Sequence, residues 1–207
     1  MQIIPIEYGN SVLSEGMIFI NGDKNIFREI VFKVFLIKTD EKLILVDAGC
    51  ETMPGFTMEN FIGPIKALEN MNISPNDITD VIITHSHHDH IECLKYFKNS
   101  VVHIEKDEYE HGKKYIPDGF KVNIFSNKFS VYKNINIIKI GGHSKGSCIV
   151  EIKINDKTYV VSGDECYLRE CLENKIPTGS SVNQTASKNF IEKYSDSKYT
   201  VLLCHDQ

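Results

Sequence analysis

Four of the eight histidines in this chain of 207 residues fall within residues 85–90, which read H-S-H-H-D-H. Residues 81–83, Val-Ile-Ile, come directly before them and predict a short buried strand. Ile91, Leu94 and Phe97 follow at helical spacing. The cluster therefore lies where a buried strand ends and a helix begins, and loops at the carboxyl ends of strands are where rigid scaffolds usually present reactive side chains.

The spacing within the cluster predicts metal binding. Residues two apart in an extended segment point the same way, so His85 and His87 would reach one ion together. A turn into a helix would direct Asp89 and His90 to another side, where they could serve a second ion. Imidazole and carboxylate groups suit zinc, iron, manganese or cobalt. A merely solvated polar loop is a poor alternative for so dense a cluster after a buried strand.

Other predicted strands also end at an aspartate or a histidine. Short apolar or alternating runs predict strands at residues 30–37, 43–46, 101–104, 135–140, 150–154, 159–161 and 201–203. One helix is predicted to start near Pro64, and another is predicted over residues 186–194. The residues that follow four of these strands are Asp47, His143, Asp164 and His205. The sequence thus places aspartate and histidine side chains, which can bind metal or transfer protons, at the ends of several strands.

Composition narrows the class of protein. Apolar residues make up 42% and charged residues 25%, which is an ordinary globular balance, and the length predicts a single domain over residues 1–207. The net charge of −5 argues against nucleic acid as a partner. No apolar run approaches the roughly 20 residues of a membrane-spanning helix, and no signal peptide is evident. Six cysteines without a C-x-x-C pair predict reduced thiols and a cytoplasmic location.

These motifs resemble the metallo-β-lactamase superfamily, whose hallmark is H-x-H-x-D-H after a strand. The resemblance covers nearly the whole chain, with five motifs in the family's order at residues 45–49, 85–90, 142–147, 162–164 and 203–205. It implies an α/β fold, the four-layer αββα sandwich, with metals at one edge of the paired sheets. It also implies two divalent ions, zinc foremost, with iron, manganese or cobalt as alternatives.

The resemblance assigns roles residue by residue. The implied ligands are His85, His87 and His143 for the first metal, Asp89, His90 and His205 for the second, and Asp164 as a bridge between them. Asp47 would orient a ligand, and His88, at the variable position, would point away. His103 and His111 match no motif and are interpreted as ordinary histidines.

Within the superfamily, Tyr167 three residues after Asp164 and the closing His205-Asp206 are similar to the N-acyl homoserine lactone lactonases. That branch implies a metal-bridging hydroxide that attacks a lactone, ester or thioester carbonyl of a small molecule, with a lactone favoured. Tyr167 would donate a hydrogen bond to the developing oxyanion, and Asp89 would pass a proton to the leaving group. Many relatives of this size form homodimers.

Several alternatives stay open. A mononuclear-iron persulfide dioxygenase would use positions such as His85, His143 and Asp164, and a glyoxalase II-like thioesterase shares the metal motifs but adds a helical substrate domain. A non-catalytic binding member usually lacks a ligand, whereas all seven are present here. Residues 142–146 also match G-x-S-x-G, but a strand rather than a helix follows them. The roles of Lys145 and Glu92 near the predicted site are not determined by the sequence.

Overall fold

The computed structural model describes all residues, Met1–Gln207. The strands are β1 (Gln2–Ser14), β2 (Phe27–Lys38), β3 (Leu43–Val46), β4 (Asp80–Ile83), β5 (Val101–Glu105), β6 (Lys121–Phe125), β7 (Lys128–Tyr132), β8 (Ile135–Lys139), β9 (Cys148–Ile154), β10 (Lys157–Val161) and β11 (Tyr199–Leu202). The α-helices are α1 (Glu15–Ile18), α2 (Pro64–Asn70), α3 (His88–Ile91), α4 (Lys106–Gly112), α5 (Arg169–Glu173) and α6 (Gln184–Tyr194). None of the helices is long and apolar enough to cross a membrane.

The strands form two sheets. One has six strands in the order β1-β2-β3-β4-β5-β6, and the other has five in the order β11-β10-β9-β8-β7. The chain divides into two compact units, of which the first contains residues 1–10 and 32–126 and the second contains residues 11–31 and 127–207. The predicted α/β class with two sheets is confirmed, and the single domain over 1–207 stays a prediction.

In the first unit, strands β3 to β6 run parallel to one another. The side chains of Val81, Ile82 and Ile83 in β4 are fully buried, as expected of a central parallel strand. Parallel strands have their carboxyl ends at one edge of the sheet, which is where open α/β sheets bind ligands. Asp47 follows β3 and His85 follows β4, so the sheet presents both residues at this edge.

In the second unit, β8, β9 and β10 pair antiparallel and β11 pairs parallel with β10. Strands β8, β10 and β11 therefore run in the same direction and end at the same edge. Helix α6 begins after Asn183, whose side chain caps it by accepting a hydrogen bond from the Ala186 amide, and its buried Tyr194 donates to Glu151 of β9. The edge where β8, β10 and β11 end carries His143, Asp164 and His205.

The structure departs from the sequence expectations at two kinds of place. The helix expected after the histidine cluster begins within it, since α3 covers His88–Ile91, and a 3-10 helix over Glu92–Tyr96 continues it. The sequence patterns predict no strand over β1, β6 or β7, whose residues are in large part half-buried or exposed and form no long apolar run. By contrast, β3 covers Leu43–Val46, the same residues for which the sequence predicts a strand.

Candidate metal centre

The first unit brings His85 and His87 together at the end of β4. His85 is fully buried, and its Nε2 lies 3.0 Å from Nδ1 of the exposed His87. The Thr84 hydroxyl donates to Asp47, so its oxygen, 3.2 Å from His85 Nδ1, accepts from that nitrogen. The neutral His85 ring therefore carries its lone pair on Nε2. The two histidines present converging nitrogens, as the H-x-H spacing predicts.

Asp47 forms a hydrogen bond with His90 in the same unit. Its Oδ2 accepts a hydrogen bond from His90 Nδ1 at 2.8 Å, and its Oδ1 accepts from the Thr84 amide at 2.8 Å. Asp47 adopts a positive φ of 62°, a conformation that aspartate tolerates better than most residues. His90 Nε2 is then directed to the Asp89 carboxylate, 3.6 Å from its Oδ2.

The second unit brings together His143, Asp164 and His205, which follow β8, β10 and β11. His205 Nδ1 lies 2.9 Å from the Val31 carbonyl oxygen and His143 Nδ1 lies 2.6 Å from the Ser180 carbonyl oxygen. A carbonyl oxygen only accepts, so both histidines donate through Nδ1, and Nε2 carries the lone pair of each neutral ring.

Both lone pairs face the same carboxylate. His205 Nε2 lies 3.1 Å from Asp164 Oδ1, and His143 Nε2 lies 3.5 Å from Asp164 Oδ2. An acceptor nitrogen and a carboxylate oxygen at such distances need a proton or a metal ion between them. Since imidazole and carboxylate are also the donors that divalent transition metals prefer, these residues fit a metal. The chain thus contains groups of histidine and aspartate side chains that are able to bind metal.

Tyr167 lies against the histidines of the second unit. Its ring stacks on the His205 ring at a centroid distance of 5.3 Å and an angle of 24°, and its centroid is 6.1 Å from that of His143. Only 5% of the residue is exposed. The Tyr167 ring therefore packs between the candidate ligands His143 and His205 of its own unit.

The remaining histidines of the first unit are held by other groups. His88 Nδ1 is 3.2 Å from the Tyr115 hydroxyl, and its Nε2 is 2.9 Å from the Thr52 carbonyl oxygen. His103 Nε2 is 2.9 Å from Asp80 Oδ1 within the sheet. His111 Nδ1 bonds a backbone carbonyl one helical turn earlier in α4. These contacts agree with the interpretation of all three as residues outside the metal centre.

Of the two charged residues of undetermined role, Glu92 is half-buried and Lys145 is exposed. Glu92 accepts a hydrogen bond from the Glu51 amide at 2.7 Å and pairs with Lys95 at 2.7 Å. Lys145 is exposed in the segment that carries His143. Glu92 therefore has a structural role in an ion-pair cluster.

Sequence reasoning missed two buried glutamates that hold the histidine segments. In the first unit, Glu108 Oε2 accepts hydrogen bonds from the Ser86 amide at 2.8 Å and the Ser86 hydroxyl at 2.7 Å. In the second unit, Glu165 Oε1 accepts from the backbone amides of Gly142 and His143 at 3.1 and 3.3 Å. Burial raises the pKa of Glu165 to about 7. Nothing in the sequence indicates which glutamates are buried. The one available signal was the position of Glu165 directly after the candidate ligand Asp164.

Comparison with known proteins agrees with this geometry. The family model described as the metallo-beta-lactamase superfamily matches residues 33–205, which is most of the chain and includes all seven candidate ligands. A probable metallo-hydrolase of Methanocaldococcus jannaschii is 34% identical over 163 residues, covering 79% of this chain and 70% of that protein. An N-acyl homoserine lactonase of a Bacillus species is 24% identical, covering 83% of this chain and 80% of the relative.

The fold also matches a solved structure. It is that of an N-acyl homoserine lactone hydrolase with the product N-hexanoyl-L-homoserine bound at its catalytic metal centre, with a TM-score of 0.83 and 18% identity. The alignment covers 99% of this chain and 92% of that one. These matches confirm the predicted fold and the predicted class of enzyme, a metal-dependent hydrolase. The chain belongs to the metallo-beta-lactamase superfamily.

Proposed function

We propose that this chain is a dinuclear metal-dependent hydrolase that opens a lactone. The observation that carries the proposal is the position of Asp164 between two histidines of its own unit. Its Oδ1 faces His205 and its Oδ2 faces His143, so each oxygen would share one ion with a different imidazole. A carboxylate used in this way bridges two ions, which is the arrangement of two-metal hydrolytic sites.

The proposal assigns the candidate ligands to one centre. The ligands would be His85, His87 and His143 for one ion, Asp89, His90 and His205 for the other, and Asp164 for both. The paired nitrogens of His85 and His87 and the neighbouring Asp89 and His90 support a division of the first unit's ligands between two ions. The family match supports the joint assignment, because it includes all of these residues.

When bound, the two ions would supply an activated water and a Lewis acid for the substrate carbonyl. Tyr167 would bind the carbonyl oxygen through its hydroxyl, and its stacking on His205 would orient it for that contact. Asp89 would take up on its carboxylate the proton that the activated water releases and deliver it to the leaving alkoxide. Asp47 would keep His90 in one orientation and one tautomer.

The relatives support a lactone as substrate. The Bacillus relative and the solved structure are both named as enzymes of N-acyl homoserine lactones. An ester or a thioester would present the same carbonyl to the same residues, so these substrates are the closest competitors. The six buried cysteines are outside disulfide bonds, which supports a reducing, cytoplasmic location, and zinc is the ion we expect first.

The test is the metal content per chain, measured by elemental mass spectrometry on protein purified with neither added metal nor chelator. We expect close to two transition ions, and turnover of an N-acyl homoserine lactone that a chelator abolishes. One iron per chain, with oxygen uptake on a persulfide, would refute the proposal. If the chain binds two ions but turns over only a thioester, the dinuclear centre would stand and the assignment of a lactone as substrate would be wrong.

The matched variants are His90→Ala and His111→Ala. His111 is exposed on α4 and bonds only within its own helix turn in the contacts described above, so its variant should keep the activity of the parent. The His90→Ala variant should lose the hydrolytic activity, because it lacks a proposed metal ligand. Equal losses in the two variants would contradict the assignment of His90 as a ligand.

A further inference from the structure

The segment that carries His143 is anchored on one side by the residues before α6. The Gly142 carbonyl oxygen accepts hydrogen bonds from the amides of Val182 and Asn183 at 2.9 and 3.0 Å and from the Ser181 hydroxyl at 2.9 Å. The His143 ring bonds the Ser180 carbonyl in the same stretch. This side of the segment is therefore held through one peptide carbonyl and one imidazole nitrogen.

The other side is anchored by a single side chain. Glu165 is fully buried, and its Oε1 accepts hydrogen bonds from the Gly142 amide, the His143 amide and the Ser147 hydroxyl. These three donors lie at both ends of the segment 142–147. One carboxyl oxygen thus closes the segment into a loop around His143.

The second oxygen of Glu165 takes no part in this anchor. Oε2 is buried and accepts no hydrogen bond from the chain. It lies against the Cα of Gly142, where a Cβ would come within 2.2 Å of it. A buried polar atom without a partner has a free-energy cost, so a carboxyl retained here calls for an explanation by function.

Glu165 also lies directly beside a candidate ligand. A 3-10 helix over Gly163–Glu165 carries Asp164 and Glu165 in consecutive positions. Asp164 faces His143 Nε2 at 3.5 Å, while Glu165 holds the backbone of the same histidine. One short turn therefore sets both the position of the carboxylate ligand and the position of the histidine that shares an ion with it.

We propose that Glu165 is a positioning residue that fixes the backbone of His143 relative to Asp164 and so preorganises the metal-binding pair. The inference rests on the proposed function, because it presupposes that His143 and Asp164 bind metal. Glu165 itself is not a ligand in this proposal. It acts through the amides of Gly142 and His143.

The experiment measures Co²⁺ binding to the chelator-treated protein, through the visible ligand-field spectrum and a titration against a competing chelator. Glu165→Ala leaves the two amides without their acceptor. We expect it to weaken Co²⁺ binding about 10- to 100-fold and to alter the spectrum, the usual effect of losing a group that orients a ligand. Glu165→Gln keeps an oxygen at the Oε1 position and should restore binding to within about threefold of the parent, because the amides regain an acceptor.

The matched control is Glu170→Gln, five residues further along the chain. Glu170 is half-exposed and pairs with Arg28 at 2.8 Å at the start of α5, so its loss should change neither affinity nor spectrum. Unfolding by circular dichroism identifies the folded variants. If Glu165→Ala does not fold, Glu165→Asp serves in its place, since the shorter side chain draws the carboxyl back from both amides.

The outcomes separate the two proposals. A parent protein that binds no Co²⁺ would overturn the metal centre, and this inference with it. A parent that binds two ions, together with a folded Glu165→Ala or Glu165→Asp of equal affinity and spectrum, would overturn the positioning role alone. A Glu165→Gln variant as weak as Glu165→Ala would also overturn it, because an acceptor oxygen would then not be what matters.

Discussion

Asp80 begins β4 and ties three neighbouring strands of the first sheet together. Its side chain is 3% exposed, and it accepts hydrogen bonds from Lys42 at 2.9 Å, His103 at 2.9 Å and the Thr79 hydroxyl at 2.7 Å. Burial opposes its ionisation, but these hydrogen bonds outweigh burial and lower the pKa of Asp80 from 3.8 to about 2. The carboxylate is therefore more stable in the folded chain than in the unfolded one.

This shift sets the magnitude and the sign of a stability effect. A difference of nearly two pH units, at about 1.4 kcal/mol per unit, makes the charged Asp80 worth about 2 kcal/mol of unfolding free energy at neutral pH. The folded-state pKa is the lower one. The contribution is therefore complete above the unfolded-state value, falls to about half near pH 3 and disappears as the pH passes below the folded-state value.

The perturbation is Asp80→Asn, which keeps the shape and removes the charge. Urea unfolding followed by circular dichroism at pH 7, 5 and 3 measures the gap in unfolding free energy between the parent and the variant. We expect a gap of about 2 kcal/mol at pH 7 and pH 5 that narrows to about 1 kcal/mol at pH 3. Asp118→Asn, at an exposed position in the same unit, should show no gap at any pH. A gap for Asp80→Asn that is absent at pH 7, or that stays constant down to pH 3, would refute the reasoning.

The other predictions concern the metal centre. Tyr167→Phe should lower kcat on the lactone by about 100- to 1,000-fold with little change in metal content, since it removes one hydrogen bond to the developing oxyanion; an unchanged kcat would exclude Tyr167 from the site. Asp164→Ala should abolish hydrolysis while the far-ultraviolet circular dichroism spectrum stays that of the parent, and retained turnover would contradict the mechanism. Asp47→Ala should weaken metal binding about 10- to 100-fold in competition with a chelator, because His90 loses the acceptor that orients its ring; equal affinity would show that the hydrogen bond has no such role.

The candidate ligands of the first unit could be predicted from the sequence because they are neighbours along the chain. The H-x-H spacing puts His85 and His87 on one side of an extended segment, and the structure brings their nitrogens to 3.0 Å. The strand before them is an apolar run that local pattern alone identifies. Local geometry and local hydrophobicity were sufficient for this part of the site.

The glutamates that hold the histidine segments could not be predicted in this way. Glu108 reaches Ser86 across 22 positions of the chain, and Glu165 reaches Gly142 across 23. A glutamate in a sequence is normally read as exposed, since an isolated buried charge is costly. Its burial becomes acceptable only when folding supplies backbone amides and hydroxyls as donors.

The sequence by itself determined the superfamily and the class of enzyme, because short motifs contain the types of the candidate metal ligands, their order and their places at strand ends. Tertiary structure alone decided which atoms face each other. His205 and Asp164 are 41 positions apart, and the parallel pairing of β10 with β11 brings their side chains to 3.1 Å. Hydrogen bonds from Nδ1 to the Val31 and Ser180 carbonyls then select the tautomer that leaves Nε2 for a metal. Those partners are backbone atoms, which every residue possesses, so no pattern of side chains could have identified them before the chain folded.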